Sequence, residues 1–299
     1  MTARPPVNSP ARAQTVPGRG PGRSDLQPRI VSALVLVAMA FATLWAGGQV
    51  FVLFWLLASL AVLWEWQRMI SAPGYVSRLF AGASGLAICA ALASNGFGDW
   101  AIAALALAAL LTGALARING GSARQCAWAA AGVFYAGLLL ISVLVLRLSQ
   151  SHGLEAILWL FAIVWGTDIL AYCSGRTIGG PKLWPKVSPS KTWAGFAGGV
   201  LGGAMAGTIL ISVALPQVRE HWPWMFVFAL LFAIGSQAGD LLESAVKRRY
   251  NVKDSSNLIP GHGGALDRLD GFTAATVCAA MVGMIKAGPV DAAHGLLIW

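Results

Sequence analysis

Residues 30–66 read I-V-S-A-L-V-L-V-A-M-A-F-A-T-L-W-A-G-G-Q-V-F-V-L-F-W-L-L-A-S-L-A-V-L-W-E-W. A helix crosses roughly 30 Å of hydrocarbon with about 20 mostly apolar residues. Two blocks approaching that length, 30–46 and 49–66, lie here with only Gly47-Gly48 between them. The spacing predicts a tight hairpin of two membrane-spanning helices. Seven more such blocks follow, at about 77–95, 99–116, 126–147, 154–175, 192–215, 222–246 and 271–288. The expected fold is all-α: a multi-pass transmembrane helical bundle with about nine spans.

Composition agrees with that reading. Hydrophobic residues make up 57% of the 299 residues and charged residues only 11%, against about a quarter charged in a soluble domain. The mean hydropathy is +0.67. With nine spans and a cytoplasmic N-terminus, all but Arg147, Arg219 and Lys286 of the 21 basic residues fall on the cytoplasmic side. Such positive-inside bias sets orientation during insertion. The net charge of +9 is therefore mainly a topology signal, with some attraction to anionic headgroups. Basic residues dispersed among membrane loops do not favour nucleic acid as a partner. Cys89, Cys126, Cys173 and Cys278 lie in or beside apolar segments without CxxC spacing, so neither a disulfide framework nor a zinc site is expected.

Three regions are expected. Residues 1–29 hold six prolines and five arginines and too few large apolar side chains to fold, which predicts a disordered basic cytoplasmic tail. The tail's length and the closeness of the second span disfavour a cleaved signal peptide. Residues 30–150 form an N-terminal transmembrane scaffold. Its only acids through Leu146 are Glu65 and Asp99, and Trp64 and Trp66 flank Glu65 as an interfacial aromatic belt would. Residues 151–299 form a C-terminal catalytic transmembrane region. Seven of the twelve acids lie there between 168 and 270, and ionisable groups at membrane depth usually face a cavity or a partner. The isolated His152, His221 and His294 are expected to be solvated.

Within that region, residues 239–271 read G-D-L-L-E-S-A-V-K-R-R-Y-N-V-K-D-S-S-N-L-I-P-G-H-G-G-A-L-D-R-L-D-G. On a helix, Asp240, Glu243, Ser244 and Lys247 share one face over two turns. The loop behind it carries Lys253, Asp254 and then Pro260-Gly261-His262-Gly263-Gly264, whose glycines suit a backbone nest for phosphate. Asp267 and Asp270 lie on one side of the first turn of the last span, with Arg268 between them. Hard carboxylate oxygens, converging cations and a Gly-rich loop suit a Mg2+-bound nucleoside triphosphate. Asp240, Asp267 and Asp270 are the expected metal ligands, from two neighbouring helices. A structural salt bridge explains a lone Asp-Arg pair, but not this many charges in one membrane-embedded cluster.

The stretch from Ser244 to Asp270 resembles the signature of the phosphatidate cytidylyltransferases, also called CDP-diglyceride synthases. Ser244, Lys247, Arg248, Lys253, Asp254, His262, Gly263, Gly264, Asp267, Arg268 and Asp270 match its fixed positions. Residues 165–195, W-G-T-D-I-L-A-Y-C-S-G-R-T-I-G-G-P-K-L-W-P-K-V-S-P-S-K-T-W-A-G, are also similar to that family. There Asp168, Tyr172, Gly175, Lys182, Leu183, Ser188, Pro189, Lys191 and Thr192 fit its pattern, while Ala194 stands where the family usually has an acid. The resemblance covers roughly residues 155–290.

The resemblance implies that CTP and phosphatidate give CDP-diacylglycerol and pyrophosphate, with Mg2+ and with a monovalent cation as an open second ion. It also implies a homodimer in a bacterial inner membrane, its active site facing the cytoplasm. The attacking phosphate monoester is already mostly dianionic at pH 7, so no strong general base is needed. The expected catalytic set is Asp240, Asp267, Asp270, Lys191 and Arg268. Lys182, Ser188, Lys247, His262, Gly263 and Gly264 are expected to bind substrate, and Asp168 to orient a cation or line the lipid's approach. Two other readings stay open: a related CTP-using membrane enzyme (another lipid phosphate acceptor, or a polyprenol kinase) and an ion-coupled transporter.

Overall fold

The computed structural model describes residues 23–298 of the chain. Among them, nine helices are long and apolar enough to cross a membrane. In order they are α1 (Arg23–Ala46), α2 (Gly48–Met69), α3 (Tyr75–Ser94), α4 (Gly98–Ile118), α5 (Ala123–Arg147), α6 (Gly153–Thr177), α7 (Trp193–Ala214), α8 (Trp222–Arg249) and α9 (Leu266–Ala287). A short α10 (Ala292–Leu297) follows. The one sheet among the described residues is an antiparallel hairpin of β1 (Lys182–Trp184) and β2 (Ser188–Thr192). The architecture is the all-α multi-pass bundle that the apolar blocks imply. Of the tail expected over residues 1–29, residues 1–22 lie outside the described residues, and residues 23–29 already belong to α1.

Burial sorts the helices. In α5, 72% of the most apolar 18-residue stretch is buried inside the bundle, against 6% in α1. Helix α5 is thus the central post, and α1 lies at the periphery. The scaffold and the C-terminal region share one hydrophobic core. An aromatic ladder ties four helices together there. Trp55 of α2 stacks on Phe272 of α9 at 5.2 Å, Phe272 meets Phe161 of α6 at 5.2 Å, and Phe41 of α1 meets Phe161 edge-on at 6.0 Å. Edge-to-face and offset aromatic pairs are each worth about 0.5–1.5 kcal/mol beyond their area. Phe272 fixes the height of α9, whose preceding turn carries Asp267 and Asp270.

Helices α6 and α7 pack through a glycine face. A Cβ at Gly199 would stand 2.7 Å from Ala171 Cβ and 2.8 Å from Thr167 O, and one at Gly203 would stand 2.6 Å from Ile163 O. Small residues at such a seam let backbones approach where lipid offers no hydrophobic driving force. The hairpin of β1 and β2 connects these two helices, so their close packing also fixes the hairpin. Its register pairs Lys182 with Thr192 and Trp184 with Ser188. Thr192 then caps α7, its Oγ1 accepting from Gly195 N at 3.1 Å.

At the other end, Arg147 donates from Nε and Nη2 to Leu44 O at 3.1 and 2.7 Å. It thereby satisfies a terminal carbonyl of α1 beside the Gly47-Gly48 turn, where both glycines have positive φ. Two expectations need correction. His152 and His294 are not isolated, since their rings stack at 6.0 Å. Trp66 is not a belt residue: it is 4% exposed and donates from Nε1 to Trp128 O at 2.9 Å, because its face of α2 packs against α5.

Candidate active site

Two polar interruptions well separated in sequence, residues 175–191 and 248–270, meet at one end of the bundle. Near the end of β2, Lys191 Nζ lies 2.6 Å from Asp240 Oδ2 and donates to Gln237 Oε1 at 3.1 Å, both on α8. Arg248, at the end of α8, reaches back from Nε to Val187 O in the hairpin at 3.4 Å. Two short strands stiffen what reads in sequence as an irregular loop, and they project Lys191 onto α8.

The face of α8 read from spacing is realised. Ser244 Oγ donates to Asp240 Oδ1 at 3.4 Å, and Lys247 Nζ lies 2.8 Å from Glu243 Oε2, each pair one helical turn apart. Lys247 also reaches Asp267 Oδ1 of α9 at 2.7 Å. Glu243 is 1% exposed and Lys247 9% exposed. Burying a carboxylate here without a counter-charge would cost several kcal/mol, so Lys247 compensates two acids at once. No donor hydrogen-bonds to Glu243 Oε1 among the described residues.

Carboxylate oxygens of Asp240, Glu243 and Asp270 lie within 4.8 Å of one another. This trio differs from the expected one, in which Asp267 stood beside Asp240 and Asp270. Asp267 is engaged elsewhere: besides Lys247, it accepts from Ser255 N at 3.0 Å, Ser255 Oγ at 3.0 Å and Gly264 N at 2.8 Å. Its oxygens organise the loop. Glu243, one turn below Lys247 on the same helix, stands in its place. Asp270 Oδ1 accepts from the backbone N–H of Gly271 at 2.8 Å.

The glycine turn also differs from the expected nest over His262, Gly263 and Gly264. Gly261 and Gly263 do adopt positive φ, +75° and +85°, which close a turn bridged by Ile259 N to Gly263 O at 2.8 Å. Yet His262 N donates to Ile259 O at 2.9 Å and Gly264 N to Asp267. The anion held by Gly264 is therefore the chain's own Asp267 carboxylate. Arg268 locks the turn, donating from Nε and Nη2 to His262 O at 3.0 and 2.9 Å. Ser32 of α1 lies 2.8 Å from His262 Nδ1. Burial and then the charge of Arg268 push the His262 imidazole below its ordinary value, with the Pro260 carbonyl opposing.

The remaining expected residues divide. Asp168, exposed on α6, interacts electrostatically with Asp240, Lys191 and Arg268, which aligns it with the acid cluster. Lys182 is exposed on β1 and donates to Ser190 O at 3.5 Å, and Ser188 is half-buried on β2. Neither is brought against the acids. Ala194 lies in the first turn of α7, where no acid is present.

One residue assigned to the scaffold belongs here instead. Glu65 of α2 is fully buried, and its two oxygens accept from Ser255, Ser256, Ala265 and Leu266. The one sequence signal is an acid inside an apolar block, and its donors lie about 190–200 residues away.

Comparison with known proteins agrees with the site's chemistry. The model of the cytidylyltransferase family matches residues 27–285. The chain is 41% identical over 279 residues to the phosphatidate cytidylyltransferase of Brucella abortus, covering 89% of this chain and 96% of that protein. It is 34% identical over 256 residues to the phosphatidate cytidylyltransferase of Bacillus subtilis, covering 83% and 94%. It is 33% identical over 259 residues to that of Staphylococcus epidermidis, covering 83% and 95%.

Proposed function

The chain belongs to the cytidylyltransferase family, and from that premise we propose that it joins CTP and phosphatidate to give CDP-diacylglycerol and pyrophosphate. The observation that carries this reading is the convergence of Lys191 on Asp240 beside Glu243 and Asp270. The hairpin before α7 supplies the cation, and α8 and the first turn of α9 supply the acids.

A phosphate oxygen of phosphatidate attacks the α-phosphorus of CTP, and the bond to the pyrophosphate oxygen breaks. No side chain needs to take a proton from the nucleophile, because a phosphate monoester is already mostly dianionic at pH 7. The barrier comes from bringing two polyanions together, so positioned cations are what the protein must contribute. Lys191 and Arg268 hold phosphate oxygens at the reacting centre. Lys182 and Ser188 on the hairpin bind the more peripheral phosphates, and Lys247 keeps the acids of α8 and α9 together. His262, Gly263 and Gly264 shape the turn facing the triphosphate.

The acid cluster fits a hard divalent cation. It offers carboxylate oxygens from three residues within 4.8 Å, Glu243 also keeps Oε1 buried without a hydrogen-bond donor, and Mg2+ takes one or two carboxylates with phosphate oxygens and water. Asp240 and Asp270 would hold it, with Glu243 as a third carboxylate and Asp267 joined to the same shell through Lys247. Such an ion supplies neutralisation of the triphosphate and of the departing pyrophosphate. We read this end of the bundle as cytoplasmic, in a bacterial inner membrane, from the excess of basic residues there. A homodimer is carried over from the family resemblance.

The test uses purified protein with phosphatidate, Mg2+ and CTP labelled either in the cytidine or in the γ-phosphate. Cytidine label in the lipid fraction supports the proposal. Transfer of the γ-label instead would identify a lipid kinase and overturn it.

A further inference from the structure

We infer that Glu65, in the half of the chain that carries none of the acids or cations above, is a positioning residue for the transfer reaction: it holds the 255–266 loop in place. The inference rests on the function proposed above. Glu65 lies on α2, fully buried, and among the described residues no Lys or Arg forms an ion pair with it. Four donors neutralise it instead. Oε1 accepts from Ser256 Oγ at 2.6 Å and Ala265 N at 2.9 Å, and Oε2 from Leu266 N at 2.7 Å and Ser255 Oγ at 3.0 Å.

Each donor has a consequence for the site. Ala265 and Leu266 are the cap and first residue of α9, whose opening N–H groups have no partner within the helix. No side chain of α9's own cap satisfies them. Glu65 therefore caps α9 from another helix, and its charge is favoured there by the positive end of the helix dipole. Ser255 Oγ lies 3.0 Å from both Glu65 Oε2 and Asp267 Oδ2. A hydroxyl has one proton, so Ser255 bridges the two carboxylates by donating to either. A continuous chain of polar contacts thus runs from Glu65 through Ser255 to Asp267, on to Lys247 and to Glu243. Phosphate-binding and metal-binding groups flank this chain, while Glu65 itself touches none of the acid trio. Its role is to set where α9 begins, and so where Asp267, Arg268 and Asp270 point.

Glutamine at this position keeps the size but replaces one acceptor oxygen by a donor. Since each carboxylate oxygen faces a backbone N–H, either amide orientation sets donor against donor. Ser256→Ala is the milder variant, because it removes one donor to Glu65 and leaves Asp267 with all its partners.

The experiment compares full-length wild type, Glu65→Gln and Ser256→Ala, with kcat and both KM values expressed per folded molecule. Amide hydrogen exchange over residues 255–266 is measured in parallel. Glu65→Gln is expected to lose at least about tenfold in kcat/KM for CTP, with faster exchange confined to the loop and the start of α9 and with the KM for phosphatidate held. Ser256→Ala is expected to move both readouts the same way by about threefold, and it decides the matter should Glu65→Gln not fold. Folded variants with wild-type kinetics, or a loss accounted for entirely by the unfolded fraction, would overturn the inference. If the wild type itself makes no lipid-linked cytidine, the proposed function fails instead, and loop exchange alone decides whether Glu65 is the anchor.

Discussion

Lys191 Nζ stands 2.6 Å from Asp240 Oδ2, joining β2 to α8 across 49 residues of sequence that include a complete membrane span. The pair is partly buried, with 19% and 35% of the two side chains exposed. Its geometric importance exceeds its energy. It makes a polar hairpin and one face of a membrane helix, each unremarkable alone, into one site where a phosphate can meet both a cation and the acid cluster.

Lys247 is the site's internal counter-charge. It contacts Glu243 at 2.8 Å and Asp267 at 2.7 Å, both of them almost entirely buried. Removing one partner of a buried ion pair typically costs about 3–5 kcal/mol, because the remaining charge is stranded. Lys247→Ala is therefore expected to lower stability by an amount in that range, seen as a large fall in melting temperature. Adding Glu243→Gln should recover much of the loss. A double variant no more stable than the single one would assign the loss to packing rather than to charge.

Asp267 binds the loop more than the acid trio, yet activity should depend on it strongly. Asn at 267 presents an amide where Lys247, Ser255 and Gly264 all donate. Asp267→Asn is expected to cut cytidylyl transfer at least about a hundredfold, roughly 3 kcal/mol of transition-state stabilisation. The measurement is the rate of lipid-linked cytidine formation at saturating CTP.

The His262 imidazole titrates below its ordinary value, because burial and the neighbouring Arg268 disfavour its charged form, as does Arg29 more weakly. The unfolded chain then takes up this proton first. The stability contributed by the neutral ring is complete above the ordinary imidazole pKa of about 6.5 and is lost as pH falls below it. Protonation also makes Nδ1 a donor in its 2.8 Å contact with Ser32 Oγ. Hydrogen exchange in the 259–264 turn should therefore rise between about pH 7 and pH 5.5 in the wild type. His262→Gln should flatten that dependence.

Much of this molecule is legible in its residues alone. Each of the nine apolar blocks forms a helix, because a 20-residue apolar run has one solution in a bilayer. The face bearing Asp240, Glu243 and Lys247 follows from helical spacing, since i, i+3 and i+7 positions must align. What stays hidden depends on partners distant in sequence. The role of Glu65 requires knowing that α2 lies beside the start of α9. The commitment of Asp267 to Ser255 and Gly264 depends on how a 16-residue connection between α8 and α9 folds back. The hairpin of β1 and β2 is concealed because Gly- and Pro-containing sequence between two spans looks irregular whether or not it pairs.

The shared centre requires that the hairpin and α8 act as a unit. A double-mutant cycle on Lys191→Ala and Asp240→Ala, read as kcat/KM for CTP in folded protein, measures that directly. Strong coupling is the predicted result: each single variant is severely impaired, and the double variant is little worse than either alone. Losses that simply multiply would mean that Lys191 and Asp240 serve separate sites, and the shared centre described above would be wrong.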